Sequence, residues 1–574
     1  MDESIWKLTP PREEAGRLSS ELGLPLPIAQ VLVNRKITEP ESAHRFLYGS
    51  IDHLHEPCLM AGMKEAVERV FRAIERGEKI LIFGDYDVDG VLSVVMLYKA
   101  LESLEASVDY FIPERLKEGY GIKEEHIEVA VDRGAELVIS VDCGIKATGF
   151  VRRAKEHGID VIITDHHRPG PELPDALAIL NPVLQSSKYP DQRLAGVGVV
   201  FKLIQAMFER KGKESLLRHY LKLVSIGTIA DIAELKGENR LFVKFGLQEL
   251  EKVSKPGPQE MKKTSKPGLP SLIEICGLKG KKISEGDVGF RIGPRLNAAG
   301  RMGETESAVR LFFATSPEET TAIARRLDEL NSKRQRAEDK IFKQAFDRVK
   351  KNALDEKYRI LIMGCEEWHR GVIGIVASRL KDAFCRPAIL FAYDGGTAFG
   401  SGRSVSEFSL IDCLDECRAF FLTYGGHPYA VGCSLKRESL PAFKRKADAV
   451  AESRITNEQM KKRIEIDSKL DFADITGSFL EYFSLLAPFG VGNPRPVFLT
   501  EKAEVIGPPQ SLKGRHAKFL FRHNGRILEA IGWDKGKWLD SIRKGDRLDL
   551  AYSFQFSSYL GHENLYLSLE GLRK

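Results

Sequence analysis

Between residues 60 and 181 the sequence alternates short apolar runs with amphipathic stretches, and this alternation limits the possible folds more than any other feature. KILIF (79–83), SVDYFIP (107–113), ELVISV (136–141), DVIIT (160–164) and ALAILN (176–181) have the length and composition of buried strands. The stretches 63–76, 92–101, 124–133 and 149–157 carry the spacing of helices. Repeats of strand, helix and strand build a parallel sheet covered on both faces, so the expected class is α/β. Three of the strands run directly into metal-ligating residues. GDYDVDG places Asp85, Asp87 and Asp89 after the first, VDCG places Asp142 after the third, and Asp165, His166 and His167 follow DVIIT. Carboxyl ends of neighbouring parallel strands line the crevice in which such sheets bind ligands.

Several carboxylates in one place repel each other, and their pKa values rise unless a cation is present. Oxygen ligands with one imidazole suit Mn²⁺ or Mg²⁺ better than Zn²⁺. A carboxylate shared between two ions sets them about 3.5–4 Å apart, the arrangement used for phosphoryl transfer. Asp142, on the middle strand end, is the natural bridge, and Asp231 in IGTIADIAEL adds a carboxylate at the end of an apolar helix. A DxDG alone also fits a phosphatase of the haloacid-dehalogenase type, but that leaves Asp142 and Asp165-His166-His167 unexplained. Cys413 and Cys417 stand four apart with no second Cys or His pair, which does not make a zinc site.

The chain has 574 residues, enough for roughly three or four domains. No run of eighteen apolar residues occurs, and MDESIWKLTPPREEAGRL lacks a basic stretch followed by an apolar core. A cytoplasmic setting is therefore expected, and eight scattered cysteines agree with it. Residues 1–50 read as a polar helical extension that packs on something else, and 255–270, with four prolines, as a loop. Residues 317–351 predict one long charged helix suited to bridging domains. RILIM (359–363), a helix at 372–381 and AILFAY (388–393) open a second α/β unit. It continues through the glycine-rich GGTAFGSGRS (395–404) and GGHPYAVG (425–432) to a helix at 440–453. From about 457 short strands and an Asn524-Gly525 hairpin signal imply a small barrel. Net charge is only +5, yet it is patchy: 323–351 has ten basic and five acidic residues, and 501–574 has thirteen and nine. Such patches suit phosphates better than the total suggests.

GDYDVDG, VDCG, TDHH and GTIAD, in this order, resemble the motifs of the DHH phosphoesterase superfamily, and GSGRS with GGHPYAVG resembles the companion DHHA1 domain. PERLKEGYG (113–121), GPRLNAAGRMG (293–303), WHRGVIGIVASRL (368–380) and the trailing β-rich unit point, within that superfamily, to the bacterial branch of single-strand-specific 5′→3′ exonucleases. The resemblance covers about residues 50 to 574. It implies a DHH domain (51–316), a bridging helix (317–352), a DHHA1 domain (353–455) and an OB-like nucleic-acid-binding barrel (456–574), after the extension 1–50.

By the same resemblance two divalent ions, Mn²⁺ or Mg²⁺, are held by Asp87 and Asp142 and by Asp89, Asp142, His166 and Asp231. Asp85 joins the first pair, and His167 faces the scissile phosphate. Where many superfamily members have a histidine near the start of the first motif, this chain has Phe83, which leaves that ion resting on Asp85. Arg115, Ser401 and Arg403 are implied receptors for the 5′ end. Arginine matches phosphate in bidentate fashion, and GSGR is expected to form a loop of accessible N–H groups. Arg295, Asn297, Arg301 and His427 are further substrate contacts. The expected activity is hydrolysis of single-stranded DNA from its 5′ end to nucleoside 5′-monophosphates, in DNA repair and recombination. Selectivity would come from a cleft too narrow for a duplex. On the barrel Tyr552, Phe554, Phe556 and Tyr559, with Lys513, Arg515 and Lys518, are candidates for bases and phosphates; the first three alternate, and the barrel core is the better place for them. A monomer is expected, with a single-strand-binding protein and a RecQ-type helicase as family-implied partners and no membrane. Two other functions compete. One is a phosphodiesterase for oligoribonucleotides or cyclic dinucleotides; the other is a catalytically inactive replication scaffold, which retention of all the ligating residues argues against.

Overall fold

In the computed structural model, which describes residues 4–114, 121–256, 267–559 and 562–574, the chain starts with a strand that no local signal announces, β1 (Ile5–Leu8). Three helices follow, α1 (Glu13–Leu22), α2 (Leu26–Asn34) and α3 (Pro40–Tyr48). The first large unit is a five-stranded sheet of β2 (Lys79–Gly84), β3 (Ser107–Phe111), β4 (Leu137–Val141), β5 (Asp160–Thr164) and β6 (Ala178–Leu180). All its pairings are parallel, in the order β3-β2-β4-β5-β6.

Alternate residues of each strand serve opposite faces. Ile80, Ile82, Leu137 and Ile139 pack with α4 (Met63–Arg76), α5 (Val88–Ser103) and the helices after β6; Leu81, Phe83, Val138 and Ile163 pack with Phe150 of α6 (Thr148–Glu156). The later helices are α7 (Gly196–Lys211), α8 (Leu221–Ala230) and α9 (Gly237–Ser254). From β2 the chain goes out to β3 and then returns to β4 on the other side of β2. This reversal opens a crevice above the carboxyl ends of β2 and β4.

The expectation of a loop over 255–270 fails at its end. Gly268 already starts a helix, Gly268–Ile275, and its first residues bury Leu269 in the same core as Phe312; residues 257–266 are outside the described set. A π-helical turn (Val288–Ile292) leads into α10 (Gly293–Arg301), and the long helix α11 runs over Pro317–Lys351 as its composition predicts.

The second unit is a sheet of β7 (Leu361–Cys365), β8 (Ala388–Asp394), β9 (Thr397–Arg403), β10 (Phe421–His427) and β11 (Ala430–Lys436), in the order β10-β11-β9-β8-β7. Helices α12 (Ile373–Phe384) and α13 (Leu440–Glu452) cover it. GSGR is therefore strand rather than loop: Gly400, Ser401, Gly402 and Arg403 lie in β9, in register with Ala430–Cys433 on one side and Ala388–Phe391 on the other.

The third unit joins both ends of the chain. Strand β12 (Arg463–Ile466) pairs in parallel with β1, and the short β13 (Ser468–Lys469) joins the barrel. The barrel strands are β14 (Phe498–Val505), β15 (Gln510–Leu512), β16 (His516–His523), β17 (Arg526–Gly532), β18 (Arg547–Tyr559) and β19 (His562–Arg573). A β14–β16 pairing closes the ring β14-β18-β19-β17-β16. Asn524 and Gly525 both have positive φ (44° and 81°), the turn that the right-handed twist of a hairpin favours. One apolar core unites Leu18, Ile28 and Leu32 of the N-terminal helices with Phe479 of α14 (Gly477–Leu485) and Phe519, Tyr552 and Phe554 of the barrel. The extension expected to lean on some other element thus leans on the last hundred residues. Phe556 leaves the core and is 40 % exposed. The side chain of Tyr559 lies outside the described residues.

Candidate metal centre

Asp85 and Asp87 follow β2, Asp142 follows β4, and Asp165 to His167 follow β5, so the three loops share the crevice. The first loop is tighter than the sequence suggests, because VDG already belongs to α5. Asp87 is the N-cap, and its Oδ1 accepts from the N–H groups of Asp89 (2.9 Å) and Gly90 (3.1 Å). Asp89 is buried in the first turn. Its two oxygens accept from Gly196 N (2.8 Å) and Val197 N (2.7 Å), at the start of α7. Two helix N-termini thus point positive ends at the cluster. Gly196 is needed for this approach, since a Cβ there would come within 2.6 Å of Asp142 Oδ1.

Asp142 has φ of 59°, held in that conformation by Asp142 N–H donating to Thr164 O (2.9 Å). His166 Nε2 stands 3.2 Å from Asp142 Oδ1, 3.9 Å from Asp231 Oδ2 and 4.0 Å from Asp89 Oδ2. Asp231 is the C-cap of α8. Single ligand atoms lie within 4.8 Å of one another in three overlapping groups: Asp85, Asp87 and Asp142; Asp89, His166 and Asp231; Asp142, His166 and His167. Phe83 takes no part. Its ring packs among Phe111, His126 and Phe150.

The electrostatics call for cations. Burial first, and then Asp89, Asp87, Asp231 and Asp85, push the Asp142 carboxyl well above its usual range. Burial and the neighbouring Asp89 and Asp87 do the same to Asp231, and Asp89 is pushed up to about 6 mainly by burial. Asp142 Oδ1 and His166 Nε2 are buried and make no hydrogen bond, although they face one another. Two buried ligand atoms left in that state within a carboxylate cluster fit a hard divalent cation. Asp142 is common to two of the groups, which fits a pair of ions.

The part Asp165 plays here is one the sequence does not specify, since there it reads only as a further strand-end ligand. Burial alone would raise its pKa, but contacts to His167 and backbone N–H groups hold it low. Its Oδ1 accepts from His166 N (2.8 Å) and His167 N (3.0 Å) and lies 2.8 Å from His167 Nδ1, while Oδ2 accepts from Ile145 N (2.9 Å). Asn181 Nδ2 donates to His167 O (2.9 Å). The first residue of DHH therefore orients the two histidines. The available signal was its place at the end of a buried strand.

Beside the centre is a cavity of about 360 Å³, whose lining includes Tyr86, Arg301, Arg370, Ser401 and Arg403. It lies between the first metal-site loop and β9. Arg403 Nη1 donates to Gly402 O (2.8 Å), and Arg370 lies 3.8 Å over the Phe399 ring. His427 closes β10. Burial, then the charges of His167, Lys146, Arg168 and His166, lower its pKa.

Other expected contacts are occupied in the structure. Arg295 pairs with Asp328 of α11 (2.8 Å). Asn297 Oδ1 accepts from Val88 N (3.3 Å) and so supports the start of α5. On the barrel Arg515 pairs with Asp534 and Lys518 with Glu529, while Lys513 sits in a turn with φ of 51°. Arg115 lies outside the described residues.

Residues 79–228 match the DHH family, N-terminal domain, 357–453 the DHHA1 domain and 466–571 the RecJ OB domain. The single-stranded-DNA-specific exonuclease RecJ of Bacillus subtilis (strain 168) is 38% identical over 95% of this chain and 68% of its own length. The protein of that name from Escherichia coli (strain K12) is 31% identical over 98% and 97%. The crystal structure of RecJ in complex with Mn²⁺ from Thermus thermophilus aligns with all of this chain and 80% of its own, with a TM-score of 0.83 and 29% identity. The corresponding Mg²⁺ complex gives 0.77 and 28%, covering 78% of that chain.

Proposed function

The chain belongs to the RecJ family of single-stranded-DNA-specific exonucleases, and from this we propose that it hydrolyses single-stranded DNA from the 5′ end, releasing nucleoside 5′-monophosphates in DNA repair and recombination. It is a metal-dependent exonuclease of the DHH phosphoesterase class. The observation that carries this reading is the meeting of Asp85, Asp87, Asp89, Asp142, His166 and Asp231 over one crevice.

Bound divalent ions supply a water of lowered pKa and neutralise charge on the phosphate oxygens. The residues do the rest. Asp85, Asp87 and Asp142 would hold one ion, and Asp89, Asp142, His166 and Asp231 the other. His167 keeps Nδ1 against Asp165, which leaves Nε2 for the scissile phosphate. Arg301, Ser401 and Arg403 line a cavity of the right polarity for a terminal 5′-phosphate, where guanidinium gives directional, charge-assisted hydrogen bonds. Arg115, outside the described residues, and His427 are proposed as further substrate contacts on family grounds alone. The charge of His167 reaches His427, and in our reading the passage between the two α/β units takes one strand and not two. A single-strand-binding protein and a RecQ-type helicase are proposed as partners on family grounds.

The decisive experiment is manganese-dependent digestion of 5′-labelled single-stranded DNA, with the same strand in a blunt duplex as control. The single strand should be degraded and the duplex spared. Asp142→Ala should lower the rate at least about a thousandfold, because both ligand groups lose a shared oxygen donor. Full activity in Asp142→Ala would refute the bridging role.

A further inference from the structure

Three buried glycines stand in succession between the metal centre and the cavity that Ser401 and Arg403 line, each where a side chain has no room. A Cβ on Gly300, in the last turn of α10, would lie 2.5 Å from Tyr86 O, and Tyr86 stands between the ligating Asp85 and Asp87. A Cβ on Gly371 would lie 2.5 Å from Arg301 O, at the end of the same helix. A Cβ on Gly374, in the first turn of α12, would lie 2.7 Å from Ser401 Oγ in β9. None of the three has a positive φ, so what each position needs is space and not a special conformation.

The joint at Gly371 is closed from both sides. Arg301 Nη1 donates to Gly371 O (3.2 Å), while Arg301 O occupies the space beside the Gly371 Cα. The loop that carries Gly371 is itself tied down: Gly371 N–H donates to His369 Nδ1 (3.1 Å) and Val372 N–H to His369 O (2.9 Å). At Gly300 and Gly371 a side chain would meet a main-chain oxygen, which cannot turn aside; at Gly374 it would meet a hydroxyl, which can. The succession runs from the first metal-site loop, through α10 and the start of α12, to β9, and so crosses from the first α/β unit to the second. Their covalent link is α11, 35 residues long, and a helix of that length is rarely straight. The glycine contacts are a second tie, placed on the cavity itself, since Tyr86, Arg301, Gly371, Gly374, Ser401 and Arg403 all line it.

We infer that Gly300 and Gly371 are positioning residues that set the separation between the metal centre and the receptor for the 5′-phosphate, so that the terminal and the scissile phosphate are seated together. This rests on the nuclease reading above, with Arg301, Ser401 and Arg403 as that receptor, and adds to it the residues that make the two sites act as one. Binding at the receptor speeds cleavage only if it delivers the next phosphate to the centre in register. Glycines that merely fill an interface would affect every substrate alike.

The test compares the wild-type protein, Gly371→Ala and Gly374→Ala, with manganese, on one single strand of DNA carrying either a 5′-phosphate or a 5′-hydroxyl. The readout is the ratio of kcat/KM for the phosphorylated strand to that for the hydroxyl strand. Relieving the contact in Gly371→Ala parts the two units by roughly 1 Å, a misplacement that costs up to about a hundredfold. Gly371→Ala should therefore lower the ratio roughly tenfold to a hundredfold, mostly through the phosphorylated strand. Gly374→Ala should lower it less, because the Ser401 hydroxyl yields. The rise in Tm on adding Mn²⁺ should equal that of the wild type in both variants, since neither glycine touches a ligating carboxylate. An unchanged ratio in Gly371→Ala, or an equal loss on both strands, would overturn the inference; should Gly371→Ala not fold, an unchanged ratio in Gly374→Ala would do so. A wild-type protein that cuts both strands equally well would overturn the receptor and the positioning role with it, leaving the nuclease reading in place. One that cuts neither strand would overturn all three.

Discussion

At Asp142, burial and the surrounding carboxylates act in one direction, toward the protonated form, and this makes stability depend on both pH and metal. The folded pKa values of Asp89, Asp142 and Asp231 lie above that of an aspartate in the unfolded chain, about 3.9. Between the two values the folded protein binds more protons than the unfolded one, so the stability of the ion-free protein falls as pH rises. For Asp89 that window runs from about 4 to about 6, and for the other two it extends further up. A divalent cation replaces those protons. Mn²⁺ should therefore raise Tm more at about pH 7.5 than at about pH 5, measured by calorimetry against an EDTA-treated control. Equal shifts at the two pH values would contradict this. Asp85, Asp87, Asp142 and His166 were legible in the sequence because each follows a short apolar run that could only be a buried strand. Asp231 was less so: it ends a helix, and nothing local aims a helix end at a sheet. The tasks of Asp165 and Gly196 were not legible, since both depend on loops brought together by the sheet.

Among the elements, α9 connects the first α/β unit to the barrel through one side chain. Arg240 donates to Leu485 O (2.8 Å), Leu486 O (2.9 Å), Ala487 O (2.8 Å) and Pro488 O (3.3 Å) at the end of α14, and to Phe46 O (3.3 Å) of α3. The guanidinium also lies 3.8 Å over the Phe46 ring. Burial, then the neighbouring Arg35, lowers its pKa to about 9, still cationic near neutrality and well placed at a helix C-terminus. Arg240→Ala leaves buried carbonyls unsatisfied. It should cost about 3 kcal/mol or more of local stability, read as faster hydrogen exchange in α14 and the barrel. Exchange equal to wild type in both would show that the contact holds nothing together. The α/β strands and the long α11 were legible because their periodicity is local and strong. The glycines of GSGR suggested a loop, yet in β9 they pack between two strands, where a Cβ on Gly400 would lie 2.5 Å from the Phe391 ring. Pairing with β11 on one side and β8 on the other decided the outcome over propensity.

In the whole molecule, residues 1–48 and the barrel form one unit around a common core, with the two α/β units between them in the chain. Deleting residues 1–48 should uncover Phe472, Phe479 and Phe483, and the protein should aggregate at a clearly lower temperature, as followed by light scattering. An unchanged aggregation temperature would mean that the barrel core is complete without the N-terminal helices. The order of units was legible from changes in sequence texture, but the partner of the N-terminal segment was not, because the pairing of β1 with β12 spans most of the chain. This pairing, reinforced by Arg573 donating to Ser4 O (2.6 Å) and lying 4.4 Å over the Trp6 ring, also sets a timetable. Once β1 has left the ribosome it waits for a partner made about 450 residues later, roughly 20 to 90 s at ordinary elongation speed. Throughout that interval the catalytic units can fold while the amino-terminal helices show their greasy sides to the surrounding water, which makes the nascent chain, rather than the finished enzyme, the form most in need of a chaperone.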